Sequence, residues 1–220
     1  MVEQPDNSTQ TLSESLSLHT GEGVVIDIGT GDGLFVYRCA QENPRKFYIG
    51  IDANPRPLEK VSEKIYRKPS KGGLPNALFI QAAVEDLPAE LKAVADEVHV
   101  HFPWGSLLRA VATGDRAVLH SLRRICSNGA LLEVVIGLDP ERDRSEIERL
   151  GLPHLSPAYI DSVLSDRYTG AGFEILEKGM LSPSEWPSLR TSWARRLRGN
   201  VKRSLLYLVA RADERKEFQP

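Results

Sequence analysis

The sequence predicts an α/β domain built on a mostly parallel, seven-stranded sheet with helices on both faces. Three observations predict it. Short β-branched runs alternate with helix-like segments from Val24 to Gly137, the pattern of βαβ units. The first run, Val24-Val25-Ile26-Asp27-Ile28, passes straight into Gly29-Thr30-Gly31-Asp32-Gly33, a glycine-rich turn between strand and helix. The fourth run ends in His101-Phe102-Pro103-Trp104-Gly105-Ser106, where Pro103 fixes one backbone angle and restricts Phe102 before it, so the strand must stop there.

In chain order, residues 1–22 are polar and Ser/Thr-rich and are expected to form a loose arm. Strand one spans Val24 to Ile28, and a helix follows the glycine turn as far as Gln41. Phe47 to Ile51 is the second strand, ending at Asp52; Pro55 to Arg67 is expected to be a basic helix, and Ala77 to Ala82 the third strand. Glu97 to His101 is the fourth strand, Leu107 to Ala112 a helix, and Ala130 to Gly137 the fifth strand. The pattern then changes: Asp139 to Arg149 reads as a charged helical insert ended by Gly151-Leu152-Pro153. Ala158 to Thr169 is expected to be helical, with Phe173 to Leu176 and Ser204 to Val209 as closing strands. One domain, 23–212, results, with inserts near 55–76 and 138–157 and a polar tail at 213–220.

The 220 residues, 41% hydrophobic and 26% charged, suit one soluble domain with a sizeable core. No stretch approaches a membrane span, and the start lacks the basic and apolar regions of a signal peptide. Cys39 and Cys126 lie far apart in helix-like contexts without metal-ligand spacing, so buried reduced thiols and a cytoplasmic location are expected. Net charge is −2, but its distribution is uneven. Between Arg45 and Lys71 lie Arg45, Lys46, Arg56, Lys60, Lys64, Arg67, Lys68 and Lys71 against Asp52, Glu59 and Glu63. From Arg190 to Arg211 there are Arg190, Arg195, Arg196, Arg198, Lys202, Arg203 and Arg211 with no acid among them. Two such blocks are either solvated faces or the footprint of a local polyanion.

The glycine turn lets a backbone approach a ligand closely. Its G-x-G-x-G spacing is not the dinucleotide G-x-G-x-x-G, and Asp27 and Asp32 would repel a pyrophosphate. Acids there suit a cationic sulfonium with an amino-acid tail. Asp52, at the end of the next strand, is placed to take ribose hydroxyls, and Glu85 after the third strand to reach an adenine. The expected cofactor is therefore S-adenosylmethionine; a plain turn with surface acids is the alternative, and a nicotinamide dehydrogenase lacks an obvious proton-transfer residue.

Trp104 either plugs a strand end or offers a flat face to a planar ligand. Amino-methylating enzymes of this fold class carry an Asp or Asn acceptor after strand four; this chain has none. A ring nitrogen with a free lone pair needs no such acceptor, so catalysis would rest mainly on positioning. Trp193 sits inside the second basic block, and two tryptophans suit stacking on both faces of a base taken out of its helix, with Arg203 bracing the distorted backbone. His101 could act as a base but fits a structural role better.

The strings Asp27-Ile28-Gly29-Thr30-Gly31-Asp32-Gly33, Lys68-Pro69-Ser70-Lys71-Gly72-Gly73-Leu74, Phe102-Pro103-Trp104-Gly105-Ser106-Leu107-Leu108 and Ser192-Trp193-Ala194-Arg195-Arg196-Leu197 resemble those of the kanamycin–apramycin resistance methyltransferases, over about Val24 to Val209. The resemblance implies a class I, Rossmann-like, S-adenosylmethionine-dependent enzyme that methylates N1 of the decoding A-site adenine in 16S ribosomal RNA of the small (30S) subunit. It implies that Trp104 and Trp193 sandwich the flipped adenine, with Phe102 beside it. Asp27, Gly29, Gly31, Asp32, Asp52, Val84, Glu85, Ser106 and Thr191 would line the cofactor pocket. Lys64, Arg67, Lys68 and Lys71 would contact ribosomal RNA, with Arg195, Arg196 and Arg203 in the second block. Departures from the family pattern are Glu63 on the RNA-facing helix, Arg149 set back from Gly151, His101 in place of an apolar residue, and the polar amino-terminal arm.

A subunit-docking enzyme of this kind is expected to be a monomer acting on neither DNA nor membrane. Alternative readings are a transfer-RNA guanine-N7 methyltransferase, which shares a His-Phe-Pro and Trp after strand four, a non-catalytic RNA-binding module on the same scaffold, and a small-molecule methyltransferase that would leave the basic blocks without a purpose.

Overall fold

The computed structural model describes Leu12, Leu16, residues 21–181 and residues 204–213. Seven strands form one sheet: β1 (Val24–Ile28), β2 (Phe47–Asp52), β3 (Ala77–Gln81), β4 (Ala95–His101), β5 (Cys126–Leu138), β6 (Phe173–Leu181) and β7 (Ser204–Ala212), in the order β3-β2-β1-β4-β5-β7-β6. β1 to β5 run parallel, and β7 lies antiparallel between β5 and β6. This is the class I, Rossmann-like methyltransferase sheet. The chain winds outward from β1 to β3, then returns to place β4 on the other side of β1. The carboxyl ends of β1 and β4 therefore flank a topological switch point, where α/β sheets bind ligands.

Both faces of the sheet are covered, which is why its central strands read as near-continuous apolar runs. On one face α1 (Leu34–Glu42) and α2 (Glu59–Ile65) bury Val36, Tyr37, Ala40, Val61 and Ile65 against Val25, Tyr48 and Ala77. On the other, α3 (Gly105–Thr113), α4 (Arg116–Ile125) and the helical stretch 157–170 pack on Ile26, Ile28, Val98, Val100, Leu132, Val134, Leu206 and Leu208. Val98 and Val100 are fully buried. Truncating a leucine of this layer, such as Leu132, is expected to cost about 2–5 kcal/mol.

Several elements differ from the sequence reading, each for a local reason. Pro55 to Arg67 is not one helix: a 3-10 turn (Arg56–Leu58) precedes α2, because Pro55 and Pro57 supply no N–H to a regular first turn. The basic segment then leaves helical geometry at Lys68, which is extended (φ −58°, ψ 145°) ahead of Pro69. The insert expected from Asp139 becomes helical only as α5 (Arg144–Leu150), because the Asp139 carboxylate accepts the N–H groups of Glu141 and Arg142 while Asp143 accepts that of Asp139. The stretch 157–170 divides into α6 (Pro157–Tyr159), a π-turn (Ile160–Leu164) and α7 (Ser165–Gly170), with the Ser165 hydroxyl donating to Ile160 O.

α4 itself has no counterpart in the sequence reading; Asp115 starts it by accepting the Val118 N–H at 3.1 Å. Cys126 begins β5 rather than lying in a helix, and Cys39 is only half-buried, although neither is in a disulfide. β4 and β5 start earlier than expected, and β6 and β7 run on to Leu181 and Ala212. Within the stretch expected to be a loose arm, Leu12 is buried and Leu16 packs on the main core, one helical turn apart. Their i, i+4 spacing is masked in the sequence by the polar residues around them.

Candidate active site

The turn after β1 is tied down before any ligand is considered. The N–H groups of Gly29 and Thr30 donate to Ile51 O at 2.8 and 3.1 Å. That of Gly31 donates to Asp52 Oδ2 at 2.8 Å, and Asn54 N–H to Asp52 Oδ1 at 2.9 Å, so the Asp52 carboxylate is held with both oxygens oriented. Asp32 accepts the Leu34 N–H at the start of α1. Gly29 and Gly31 have φ of 74° and 60°, a left-handed backbone that favours glycine. A Cβ at Gly29 would come within 2.6 Å of Leu107, whereas one at Gly31 would meet nothing within 4 Å. Open space thus lies beside bare backbone at Gly31.

Asp27 is 4% exposed, and burial pushes its carboxyl up to about 6; the Thr30 hydroxyl and His99 oppose the rise, and Asp52 adds to it. Beyond β3, Val84 and Glu85 occupy a 3-10 turn (Val84–Asp86) whose Val84 carbonyl accepts the Ser121 hydroxyl of α4 at 2.5 Å. Val84 is buried and Glu85 exposed; Ser106 is exposed in the first turn of α3. Asp27, Gly29, Gly31, Asp32, Asp52, Val84, Glu85 and Ser106 therefore all stand along the carboxyl edge of β1, β2, β3 and β4. The donor set fits S-adenosylmethionine: a pre-oriented carboxylate for a ribose, a buried acid for an ammonium, an apolar wall at Val84, and room at Gly31.

At the end of β4 the chain turns sharply. Phe102 is left-handed (φ 50°), a conformation that costs a non-glycine residue about 1–2 kcal/mol. It is held there by its N–H, which donates to Val135 O at 2.7 Å, and by its ring, which is 8% exposed and packs with Val135 and Leu205. Phe102 thus buries its ring instead of presenting it. Trp104 is the side chain this turn puts outward, 51% exposed in an extended residue that caps α3. On α5 the Arg149 guanidinium grips both Glu146 oxygens at 2.7 and 2.8 Å, and the backbone of Gly105, the residue after Trp104, adds a smaller influence on the same carboxylate. Arg149 holds the Glu146 carboxyl below its usual range. His101, before the turn, stands on the sheet face that Phe35 covers, its Nε2 2.5 Å from Glu133 Oε1.

The basic segment after β2 lies on one exposed flank: Arg67, Lys68 and Lys71 are exposed, and so is Tyr66, at 70%. Lys64 differs. Its ammonium sits 4.0 Å over the Tyr37 ring, and the Tyr37 hydroxyl donates to Gly72 O at 2.9 Å. Thr191, Trp193, Arg195, Arg196 and Arg203 lie outside the described residues. Sequence reasoning passes over Glu146, Glu133, His99 and Tyr66. Only Tyr66 carries a readable signal, an aromatic inside a basic run.

Comparison with known proteins agrees with this geometry. The family described as NpmA: 16S rRNA (adenine(1408)-N(1))-methyltransferase matches residues 5–212. A 16S rRNA (adenine(1408)-N(1))-methyltransferase from Escherichia coli is 40% identical over 185 residues, 82% of this chain and 83% of its own. Among solved structures, the aminoglycoside resistance methyltransferase NpmB1 superposes with a TM-score of 0.79 at 45% identity, covering 94% of this chain and 95% of its own. A Catenulisporales acidiphilia 16S rRNA (adenine(1408)-N(1))-methyltransferase, solved as a tryptophan-to-alanine mutant with cosubstrate SAM, superposes with a TM-score of 0.83 at 32% identity over 99% and 96% of the two chains. With a family match across nearly the whole chain, a glycine turn flanked by acids and a tryptophan at the end of β4, this protein belongs to the 16S rRNA (adenine(1408)-N(1))-methyltransferase family.

Proposed function

We propose that the chain methylates N1 of the decoding-site adenine of 16S ribosomal RNA within the 30S subunit and so confers resistance to aminoglycosides. One observation carries the reading at the level of the site: the Phe102 turn at the end of β4 exposes Trp104 on the same carboxyl edge of the sheet as the open glycine turn after neighbouring β1. When bound, S-adenosylmethionine supplies an electrophilic methyl group. Asp52 would hold its ribose, Glu85 its adenine edge, and Asp27 its amino-acid ammonium. Trp104 would stack on one face of a base withdrawn from its helix, and Trp193 on the other. Phe102 keeps the turn in place from beneath. Adenine N1 carries its lone pair at neutral pH, so no residue need remove a proton first, and the barrier falls chiefly through alignment. Lys68, Arg67 and Lys71 would grip phosphates, with Arg195, Arg196 and Arg203 doing so from the second block. No helix among the described residues is long and apolar enough to cross a membrane; we place the enzyme in the cytoplasm, acting as a monomer on ribosomal particles.

Primer extension on 16S RNA, after purified 30S particles are incubated with enzyme and S-adenosylmethionine, tests the reading. A new stop at the decoding-site adenine is expected, because a methyl on N1 blocks pairing. An unblocked template with methyl transferred to transfer RNA, or no transfer at all, overturns it.

A further inference from the structure

A polar ladder crosses the sheet directly behind the Trp104 turn. Glu97, His99 and His101 alternate along β4 with Val98 and Val100, so the three share one face. Lys46 Nζ donates to Glu97 Oε1 at 2.5 Å, and His99 Nε2 lies 3.6 Å from Glu97 Oε2. The imidazoles of His99 and His101 stack, with centroids 4.9 Å apart and planes within 12°. Phe35 of α1 closes over both, at 5.6 and 5.3 Å. His99 stands level with Asp27 in the β1–β4 register. At the far end His101, its side chain 3% exposed, brings Nε2 to 2.5 Å from Oε1 of Glu133 on β5. The Glu133 carboxyl is held below its usual range, first by this hydrogen bond.

Nothing in the packing of that face calls for these groups. At 101, where the side chain is 3% exposed, an apolar residue would leave no polar atom to satisfy. The Nδ1 atoms of both rings are buried without a hydrogen-bond partner among the described residues. Glu133 is thus the polar tie of the His101 ring. That tie sits at a mechanically sensitive point. Phe102, strained into the left-handed region, follows His101 immediately, and its N–H is held by Val135, two residues beyond Glu133 on the same strand. Such a conformation persists only where its surroundings over-determine it. β5 provides two successive holds, one on the His101 side chain and one on the Phe102 backbone.

We propose that His101 is a positioning residue for methyl transfer: its contact with Glu133 fixes the end of β4, and thereby the direction in which Trp104 meets the base. The proposal rests on the reading of Trp104 as the surface that stacks on the target. Freed from Glu133, the strand end relaxes toward extended backbone at Phe102, and the residues after it turn with it. The cofactor loop, tied instead to β2, keeps its shape.

The test uses the full chain with 30S subunits and S-adenosylmethionine. Glu133→Leu removes the acceptor, Glu133→Gln keeps a neutral one, and His101→Phe removes the donor while retaining the stacked ring. With Glu133→Leu, kcat is expected to fall about tenfold to a hundredfold, while cofactor affinity by calorimetry stays within about twofold of the parent. In protein labelled with 5-fluorotryptophan, the Trp104 signal, assigned by its loss in Trp104→Phe, shifts or broadens in Glu133→Leu. Glu133→Gln restores both kcat and the signal. Should Glu133→Leu fail to fold, His101→Phe makes the same prediction. Parental kcat in both variants, a lowered kcat with an unmoved Trp104 signal, or no rescue by Glu133→Gln overturns the proposal. A fully active Trp104→Ala overturns the stacking reading beneath it; an inactive Trp104→Ala beside a fully active His101→Phe overturns the role of His101 alone.

Discussion

The ring of Phe102 fills the space that a side chain at Gly137 would need: a Cβ there would come within 3.0 Å of Cδ1 and Cε1. The two residues belong to β5 and to the turn after β4, so the absence of a side chain on one strand sets the shape of the turn on its neighbour. Gly137→Val is expected to drive the ring out of its pocket beside Val135 and Leu205, at about 1–3 kcal/mol in stability. Methyl transfer to 30S subunits should then fall at least about tenfold, while S-adenosylmethionine binding by calorimetry is retained. Parental turnover in this variant would show that the seat of Phe102 does not govern the site.

Asp27 gives a pH dependence whose sign is fixed. Its carboxyl titrates near 6 in the fold and at 3.8 by reference, so the buried charge opposes folding fully above pH 6, by about 3 kcal/mol, and the penalty fades as pH falls from 6 toward 3.8. Asp27→Asn should therefore raise the Tm at pH 7.5 and lose most of that advantage by pH 4.5. The same variant should bind S-adenosylmethionine far more weakly, because an amide cannot pair with the ammonium group. In the parent, cofactor affinity should decline as pH drops below 6. Thermal melts at the two pH values and calorimetry between pH 5 and 8 check both statements.

The Glu146 carboxylate of α5, gripped by Arg149, feels the backbone of the residue after Trp104. Glu146→Ala should remove the carboxylate that acts on the Gly105 backbone and lower kcat on 30S subunits by about tenfold. Arg149→Ala should do less, since the carboxylate remains. Equal and full activity in both would show that the insert is a bystander to the turn.

On the basic flank, exposure separates two kinds of lysine. Arg67→Ala and Lys68→Ala should each weaken 30S binding and reduce the slope of log affinity against log salt by about one. Lys64→Ala should additionally loosen the segment, because its ammonium rests on the Tyr37 ring. Tyr66→Ala should reduce affinity with little change in that slope, as expected for an exposed aromatic that meets RNA by contact rather than by charge. Filter binding across a salt series distinguishes the three patterns.

The strands β1 to β4 and the ligand-facing turns are legible in the sequence because apolar runs are punctuated there by Gly29, Asp52 and Pro103, whose backbone effects are local. The acids at 27, 52 and 85 are legible for the same reason, each lying at or shortly beyond the carboxyl end of its strand. α4 is not, since Asp115 has to be recognised as a cap between two helices of similar composition. Glu97-Val98-His99-Val100-His101 reads as a strand with one wet face. The partners that enclose that face, Phe35 and Glu133, arrive from distant parts of the chain. Phe102 shows the same limit: its aromatic character is plain in the sequence, but the left-handed backbone that buries the ring depends on Val135 and Gly137.

Tyr37 belongs to the helix that begins at the cofactor loop, yet its ring carries Lys64 and its hydroxyl holds Gly72. One side chain thus spans the helix after the glycine turn proposed to take the methyl donor and the basic segment proposed to meet the ribosome. A lesion there would blur the usual sorting of mutants into those blind to donor and those blind to acceptor. If both proposed grips are right, neither can drift far in sequence without disturbing the packing of the other.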